Sequence, residues 1–237
     1  MKISLLLATR GRLEKLKKCL QSIIDTVNDP ENIEIVFGYD VDEEDQLYEF
    51  FQKLDVNDLE LDYQLHQFKR PYHLNDKFNY LGQMANNELL FAVSNDLEFK
   101  TKDWDKIIID KFKSDTKDKI FCRWINDGAG SETLPRHYIV HKNYLQVTRN
   151  YSCHMLKHYF SDNWIYYVFS KLGKTEYLKE IEVEHSSPVL MKVEPDQLII
   201  DEMNNWFAYD QAVYQGTQGL RDLEVSKLKS YIDNYKE

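Results

Sequence analysis

The chain opens with a pattern of apolar and polar positions that is typical of a β-α-β unit. A continuous apolar run at residues 3–8 predicts a parallel strand that other elements cover on both faces. After a polar break, apolar side chains recur from Leu13 to Val27 at the spacing of an amphipathic helix. A second apolar run at residues 33–38 predicts the next strand, and the crossover between the two strands is expected to be right-handed.

The predicted elements that follow continue the alternation of helix and strand. In order, they are helix 47–54, strand 59–65, helix 78–85, strand 89–93, helix 104–112, strand 120–124, strand 138–141, helix 164–172 and strand 177–184. Two helical patterns occupy residues 196–237. This order predicts an α/β, Rossmann-like fold with a mostly parallel central sheet, helices on both faces and a helical C-terminal tail. Because no Gly/Ser-rich or Pro-rich linker interrupts the chain, residues 1–237 are predicted to form a single domain.

Composition and charge narrow the class of protein. The chain has 30 Lys and Arg against 40 Asp and Glu, a net charge of -10, which argues against a general nucleic-acid-binding protein. Its three cysteines lie far apart and form no C-x-x-C pair, which predicts reduced thiols and a cytoplasmic location rather than a disulfide framework. No apolar stretch is long enough to span a bilayer, and the N-terminal run is too short for a signal peptide.

Polar and charged side chains follow the predicted strands at the points where the strands end. In open α/β sheets, ligands bind beyond the carboxyl ends of the strands. The residues that follow four of the predicted strands are Thr9, Arg10 and Arg12, then Asp40, then Asn95 and Asp96, and then His185. Arginines, carboxylates and an imidazole on one rim are what a nucleotide diphosphate and a divalent cation together require.

Two of these stretches carry a family resemblance. Residues 5–12, Leu-Leu-Leu-Ala-Thr-Arg-Gly-Arg, are an apolar strand followed by a Thr-Arg-x-Arg turn, and residues 89–96, Leu-Leu-Phe-Ala-Val-Ser-Asn-Asp, are a strand followed by an acidic signature. They resemble the GT-A glycosyltransferases, in particular the large inverting nucleotide-diphospho-sugar transferase family. The resemblance covers about residues 3–185. It implies a donor half at about 1–100, an acceptor half at about 101–195 and C-terminal helices at about 196–237.

The resemblance also implies how the donor is bound. It places Thr9, Arg10 and Arg12 against the base and ribose of the nucleotide, and it makes Asp40 the acceptor of a hydrogen bond from the base. Two arginines at the start of a helix are unfavourable with the helix dipole unless an anion lies nearby, which supports a nucleotide at this position. Lys77 is a further candidate for contact with the phosphates, the alternative being an ordinary lysine on a helix surface.

Metal binding is the second implication of the resemblance. The resemblance makes Asp96 and His185 the candidate ligands for a divalent cation, Mn²⁺ or Mg²⁺. Relatives usually carry a second acidic residue in the signature, whereas this chain has Asn95, which can bond to ribose but adds no charge. We therefore expect weaker metal binding, or less dependence on metal, than in the family.

Asp162 is the candidate catalytic base. It lies in Ser-Asp-Asn-Trp at residues 161–164, where relatives carry an acidic pair at the start of a helix. In that role its carboxylate removes a proton from the acceptor hydroxyl. The alternative is that Asp162 only caps the helix, and a helix N-terminus would lower its pKa unless burial offsets that effect.

The sequence therefore predicts a metal-assisted, inverting glycosyltransferase that uses a nucleotide-diphosphate sugar, with UDP-sugar favoured. The expected acceptor is a hydroxyl group on a glycan, a lipid-linked glycan or a modified base. Three alternatives stay open: a nucleotidyltransferase, a phage-type transferase acting on modified DNA bases, and a non-catalytic sugar- or partner-binding module. The turn at Thr9 is poor in glycine for the phosphate loop of a nucleotidyltransferase, and Asn95 is the feature that keeps the non-catalytic alternative open.

Overall fold

A computed structural model describes residues 1–40, 49–51, 61–69, 72–128, 130–186, 194–195 and 197–235. The strands are β1 (Ile3–Thr9), β2 (Ile33–Asp40), β3 (Asp62–Phe68), β4 (Leu89–Val93), β5 (Leu97–Phe99), β6 (Cys122–Asn126), β7 (Tyr138–His141) and β8 (Thr175–His185). The helices are α1 (Leu13–Thr26), α2 (Leu74–Met84), α3 (Trp104–Lys113), α4 (Lys142–Thr148), α5 (Ser161–Leu172), α6 (Gln197–Gly216) and α7 (Gln218–Asn234). No helix in these ranges is both long enough and apolar enough to cross a membrane.

The eight strands form a sheet in the order β3-β2-β1-β4-β7-β6-β8-β5. Strands β1, β2, β3 and β4 pair in parallel, as do β6 and β8. Strand β7 is antiparallel to both β4 and β6, and β5 is antiparallel to β8. The predicted fold class, an α/β fold with a mostly parallel sheet and a helical C-terminal tail, is confirmed.

The register of the parallel strands brings their carboxyl ends to one edge of the sheet. Ile3 pairs with both Ile33 and Leu89, so β1, β2 and β4 start level with one another. Their carboxyl ends lie close together: Thr9 is beside Tyr39, and β4 ends two residues earlier, with Val93 beside Leu7. Residues that follow these strands are therefore neighbours in space although they lie far apart in the chain.

Each face of the sheet is covered by its own apolar core. Helices α1 and α3 pack on one face through buried side chains such as Leu16, Ile23 and Phe112. Helices on the other face include α2 and α5, which contribute Leu81 and Trp164. The helices on both faces that the sequence predicted are thus present, and a core of this size fixes the sheet edge that carries the site.

The structure differs from the predicted elements in a few places. Strand β3 lies three residues later than predicted, and both β5 and α4 were not predicted. Strand β5 has three residues, too few to show a period, and α4 begins directly after β7 without an intervening loop. Of the predicted helix 47–54, residues 49–51 are helical and the others lie outside the described residues.

The C-terminal tail is tied to the loop that precedes α5. Asp210 on α6 is fully buried, and its carboxylate accepts hydrogen bonds of 2.8 Å from the backbone N–H groups of Lys157, His158 and Tyr159. Three charge-assisted hydrogen bonds fix the path of this loop, which leads directly into the helix that carries Asp162.

Candidate functional site

The ends of β1 and β4 meet through a pair of buried polar side chains. The amide Nδ2 of Asn95 donates a 2.7 Å hydrogen bond to Oγ1 of Thr9, and both side chains are almost completely buried. The neighbouring Asp96 is also buried. Asn95 therefore has a hydrogen-bond partner at the end of β1.

At the end of β2, Asp40 faces two cationic side chains. Lys77 Nζ on α2 lies 2.6 Å from Asp40 Oδ1, and an Arg10 guanidinium nitrogen lies 3.3 Å from Oδ2. Lys77 is buried, so it is not an ordinary lysine on a helix surface. Cationic side chains such as the two in this corner form charge-assisted hydrogen bonds with phosphate oxygens.

Arg12 connects this corner to Asp96. One of its guanidinium nitrogens lies 3.6 Å from Asp96 Oδ2. Arg12 precedes α1 and has a left-handed backbone, with φ of 61°, as does Gly11 before it, with φ of 53°. The turn from β1 into α1 is thus held in a conformation that non-glycine residues seldom adopt, a feature common at ligand-binding turns.

The pairing of β5 with β8 brings His185 to Asp96. Leu97 pairs with His185 in the antiparallel register, so the residue before Leu97 lies beside the histidine ring. His185 Nε2 is 3.6 Å from Asp96 Oδ1, while Nδ1 is 3.4 Å from Oδ2 of Asp127 and forms a hydrogen bond with it. The two residues predicted as metal ligands are therefore adjacent, and a third residue joins them.

Asp127 and His137 belong to this cluster, although no sequence pattern singles them out as ligands. Asp127 follows β6 and His137 precedes β7, so the antiparallel pairing of these strands brings them together. His137 Nε2 lies 3.6 Å from Asp127 Oδ2, and the rings of His137 and His185 are 5.0 Å apart. A spacing of ten residues across a loop has no pattern that sequence reading can recognise as a ligand pair.

Arg136 holds Asp127 with two parallel hydrogen bonds of 2.7 Å. Burial alone would raise the pKa of Asp127, but its hydrogen bonds with His185 and Arg136 and the nearby positive charges hold that pKa well below its ordinary value. Burial, with the charge of His185, lowers the pKa of His137 to about 4. At neutral pH the cluster therefore combines an ionised carboxylate with a neutral His137.

The donor atoms of Asp96 and His185 fit a divalent cation. Two ligands at metal-bond length from one ion lie about 3.0–3.7 Å apart, depending on the angle between the bonds. The 3.6 Å separation of Asp96 Oδ1 and His185 Nε2 falls in that range. Asp127, His137 and His185 also offer donor atoms within 4.8 Å of one another, so His185 has a possible cation position on each side of its ring.

Asp162 is the second residue of α5 and is partly buried. Its Oδ1 accepts a 2.8 Å hydrogen bond from the backbone N–H of Asn163. Burial raises the pKa of Asp162; the bonds from the backbone and the charge of Arg136 act in the opposite direction, and the charge of Asp127 adds to the increase. The effect of burial on this pKa is therefore larger than the opposite effect of the helix N-terminus, and the carboxylate is more basic as a result.

Comparison with solved structures relates this arrangement to known proteins. S. aureus TarS 1–349 in complex with UDP aligns with a TM-score of 0.60 at 18% identity, over 87% of this chain and 66% of that chain. The same protein with UDP-GlcNAc gives a TM-score of 0.61 at 16% identity, over 98% of this chain and 72% of that chain. The chain has a GT-A-like glycosyltransferase fold.

A more distant structure shares the fold. The mannosyltransferase PcManGT from Pyrobaculum calidifontis, in complex with GDP-Man and Mn²⁺, gives a TM-score of 0.56 at 10% identity, over 75% of this chain and 54% of that chain. The chain thus spans about two thirds of TarS 1–349 and about half of the mannosyltransferase. No protein-family model and no curated protein sequence matches this chain.

Proposed function

We propose that this chain is a glycosyltransferase that moves a sugar from a nucleotide-diphosphate donor to a hydroxyl acceptor, with metal assistance and inversion at the anomeric carbon. One observation carries the proposal: Asp96 and His185 meet at the carboxyl edge of a GT-A-like sheet, and their ligand atoms are as far apart as two ligands of one divalent cation. Structures with this fold have been solved in complex with UDP, with UDP-GlcNAc, and with GDP-Man and Mn²⁺.

The donor nucleotide is assigned to the region that holds Arg10, Arg12 and Lys77. These three cations lie beside two buried carboxylates, Asp40 and Asp96, and their N–H groups are donors that phosphate oxygens can accept from. In this scheme Thr9 and Asp40 face the nucleoside, and Asn95 faces the ribose. We favour a UDP-sugar, which is supported by the UDP complexes of the two TarS structures.

Asp96 and His185 are the residues that would hold a divalent cation, Mn²⁺ or Mg²⁺. When bound there, such a cation supplies positive charge to the departing diphosphate. Arg12, which contacts Asp96, contributes a second positive charge on the same side. These groups lower the barrier because they stabilise charge that develops as the bond between the sugar and the diphosphate breaks.

Asp162 acts as the general base in this scheme. Its carboxylate accepts the proton of the acceptor hydroxyl while that oxygen forms a bond to the anomeric carbon, and the diphosphate leaves with the electrons of the broken bond. A raised pKa makes this carboxylate a stronger base than an exposed aspartate. The acceptor is proposed to be a glycan, a lipid-linked glycan or a modified base, and the free, buried cysteines support a cytoplasmic location.

Calorimetric titration of the purified protein with UDP, GDP, CDP and dTDP, each with and without Mn²⁺, tests the proposal. We expect metal-dependent binding of one nucleotide that weakens in both Asp96→Asn and His185→Ala. Glu184→Gln is the matched control, because Glu184 precedes His185 on β8 but is exposed. If a folded protein binds none of the four nucleotides, the proposal is wrong and the non-catalytic binding module, which Asn95 keeps open, takes its place.

A further inference from the structure

His185 lies between two carboxylates and offers a different ring nitrogen to each. Its Nδ1 is 3.4 Å from Asp127 Oδ2, within a long hydrogen bond, whereas its Nε2 is 3.6 Å from Asp96 Oδ1, beyond hydrogen-bond distance. A neutral imidazole carries one proton, and only the nitrogen without it can bind a metal. Which nitrogen keeps the proton therefore decides on which side of the ring a cation can bind.

We propose that Asp127 is a positioning residue for His185: it accepts the proton of Nδ1–H and thereby leaves the lone pair of Nε2 facing Asp96. The inference rests on the proposed function, in which Asp96 and His185 hold the cation. Histidines that ligate metals commonly donate their second ring N–H to a carboxylate, which fixes both the tautomer and the orientation of the ring.

The surroundings of Asp127 suit this task. Arg136 Nε and Nη2 each donate a 2.7 Å hydrogen bond to one carboxylate oxygen, so the carboxylate cannot rotate without losing a planar, bidentate pair. The Asp127 side chain is only 2% exposed. It is therefore a fixed acceptor, and water does not compete effectively for it.

His137 provides the competing explanation, that Asp127, His137 and His185 themselves hold the cation. Its Nε2 is buried, lies 3.6 Å from Asp127 Oδ2, and has no hydrogen-bond partner among the residues that the structure describes. However, Oδ2 already accepts from Arg136 Nε, and a cation on that oxygen would face the guanidinium at close range. Asp96 also has a guanidinium beside it, that of Arg12, but at 3.6 Å and on Oδ2, whereas the oxygen that faces His185 is Oδ1. The closer guanidinium on Asp127 thus favours a cation on the Asp96 side of the ring.

The tautomer of His185 can be measured without any metal. In protein labelled with ¹⁵N-histidine, two-bond ¹H–¹⁵N correlation spectra at pH 8.5, where histidine side chains in water are neutral, distinguish Nδ1–H from Nε2–H. The His185→Gln variant assigns the signal. We expect Nδ1–H in the wild type and a shift toward Nε2–H in Asp127→Ala, with Asp127→Asn as the second variant should the first not fold. An Nε2–H tautomer in the wild type, or no change in a folded Asp127 variant, overturns the inference.

Asp115 supplies a matched control for the loss of a buried pair. It forms an equivalent bidentate contact with Arg123, at 2.6 Å for both bonds, and neither residue contacts His185 in the structure. Asp115→Ala should therefore lower the stability without changing the tautomer of His185. A tautomer change in Asp115→Ala as large as that in Asp127→Ala would show a general effect of lost stability and would overturn the positioning role.

Binding of Mn²⁺ alone, followed by loss of the free-ion signal in electron paramagnetic resonance, separates the inference from the function on which it rests. We expect Asp127→Ala to weaken Mn²⁺ binding by about 10- to 100-fold, as is typical when the carboxylate behind a metal-bound histidine is removed. His137→Gln should bind Mn²⁺ like the wild type. A loss in His137→Gln equal to that in His185→Ala makes His137 a ligand and overturns the inference.

If instead His185→Ala and Asp96→Asn both bind Mn²⁺ normally, the proposed metal site itself fails, whatever the tautomer of His185. If those two variants lose Mn²⁺ and the folded Asp127 variants do not, only the positioning role fails. The two failures are thus distinguishable in one set of measurements.

Discussion

Lys77 Nζ lies 2.6 Å from Asp40 Oδ1, and both side chains are almost fully buried. A helix-borne lysine thus reaches across to the end of a neighbouring strand and neutralises a carboxylate that would otherwise be costly to bury. Arg10 approaches the other oxygen of Asp40 from the solvent side and is 27% exposed. The pair therefore ties α2 to the edge of the sheet at the point where we place the donor nucleotide.

Replacing Lys77 with methionine should destabilise the fold. Removing one partner of a buried ion pair typically costs about 3–5 kcal/mol because the other charge stays buried. Arg10 still faces Asp40 in Lys77→Met, so we expect a smaller loss, about 2 kcal/mol in the free energy of unfolding measured with urea. Lys100→Met is the control: its contacts with Glu98 and Glu184 are exposed, and its loss should stay below about 1 kcal/mol. Equal losses in both variants would contradict a special role for the Lys77 pair.

Asp162→Asn should stop transfer without affecting the donor. The substitution keeps an oxygen for the N–H of Asn163 but removes the base, so we expect the transfer rate to fall by about 10²- to 10⁴-fold with unchanged nucleotide affinity. In the wild type, the rate should fall as the pH drops through the pKa of Asp162, since the protonated carboxyl cannot accept a proton. That pKa is raised, so the acid limb should lie above the ordinary aspartate value of 3.8. Full transfer by the folded variant would remove Asp162 from the mechanism.

Glu224 on α7 gives a prediction about stability and pH. Its two oxygens accept hydrogen bonds from the Tyr144 hydroxyl at 2.7 Å and from Trp164 Nε1 at 3.1 Å, and burial raises its pKa despite these bonds. A carboxyl whose pKa is higher in the folded state stabilises the fold at low pH, and this contribution is lost as the pH rises from the unfolded value of 4.5 through the folded one. The stability of Glu224→Gln relative to the wild type should therefore increase over that interval.

A second variant separates charge from hydrogen bonding at this position. Glu224→Leu leaves the Tyr144 hydroxyl and the Trp164 N–H without their acceptor, at a cost of about 1–3 kcal/mol for each buried donor. We expect it to be less stable than Glu224→Gln at every pH in thermal or urea unfolding. Parallel pH profiles for the wild type and Glu224→Gln would mean that Glu224 has no raised pKa.

The strand-end part of the site could be predicted because its residues follow apolar runs. A strand buried on both faces is visible as a continuous run, and the parallel arrangement then requires that Thr9, Asp40 and Asp96 share one edge. His185 could be predicted for the same reason, because it ends the strand β8. The site roles of these residues stay predictions, but their proximity is a consequence of the fold that the sequence indicates.

The rest of the site depends on antiparallel pairing, which the sequence does not reveal. Asp127 and His137 meet only because β6 and β7 run side by side, and strand β7 inserts between β4 and β6 against the chain order. Likewise, β5 is too short to show the alternation of apolar and polar residues that marks a strand, although its pairing with β8 places His185 beside Asp96. Polar residues in a loop between such strands have no spacing rule from which their contact could be derived.

Asp210 connects the C-terminal tail to the proposed base, and its removal should impair catalysis from a distance. The carboxylate holds three consecutive N–H groups at 157–159, and α5 with Asp162 begins immediately beyond them. In Asp210→Ala these buried donors lose their acceptor, so we expect a loss of about 3 kcal/mol or more in the free energy of unfolding. The transfer rate should fall more than the nucleotide affinity, because the loop positions Asp162 and not the region of the donor nucleotide. Asp222→Asn is the control, because Asp222 on α7 accepts an exposed hydrogen bond from Tyr167. This substitution should change the stability by less than about 0.5 kcal/mol. An Asp210→Ala protein that keeps both wild-type stability and wild-type transfer would show that the tail does not position the base.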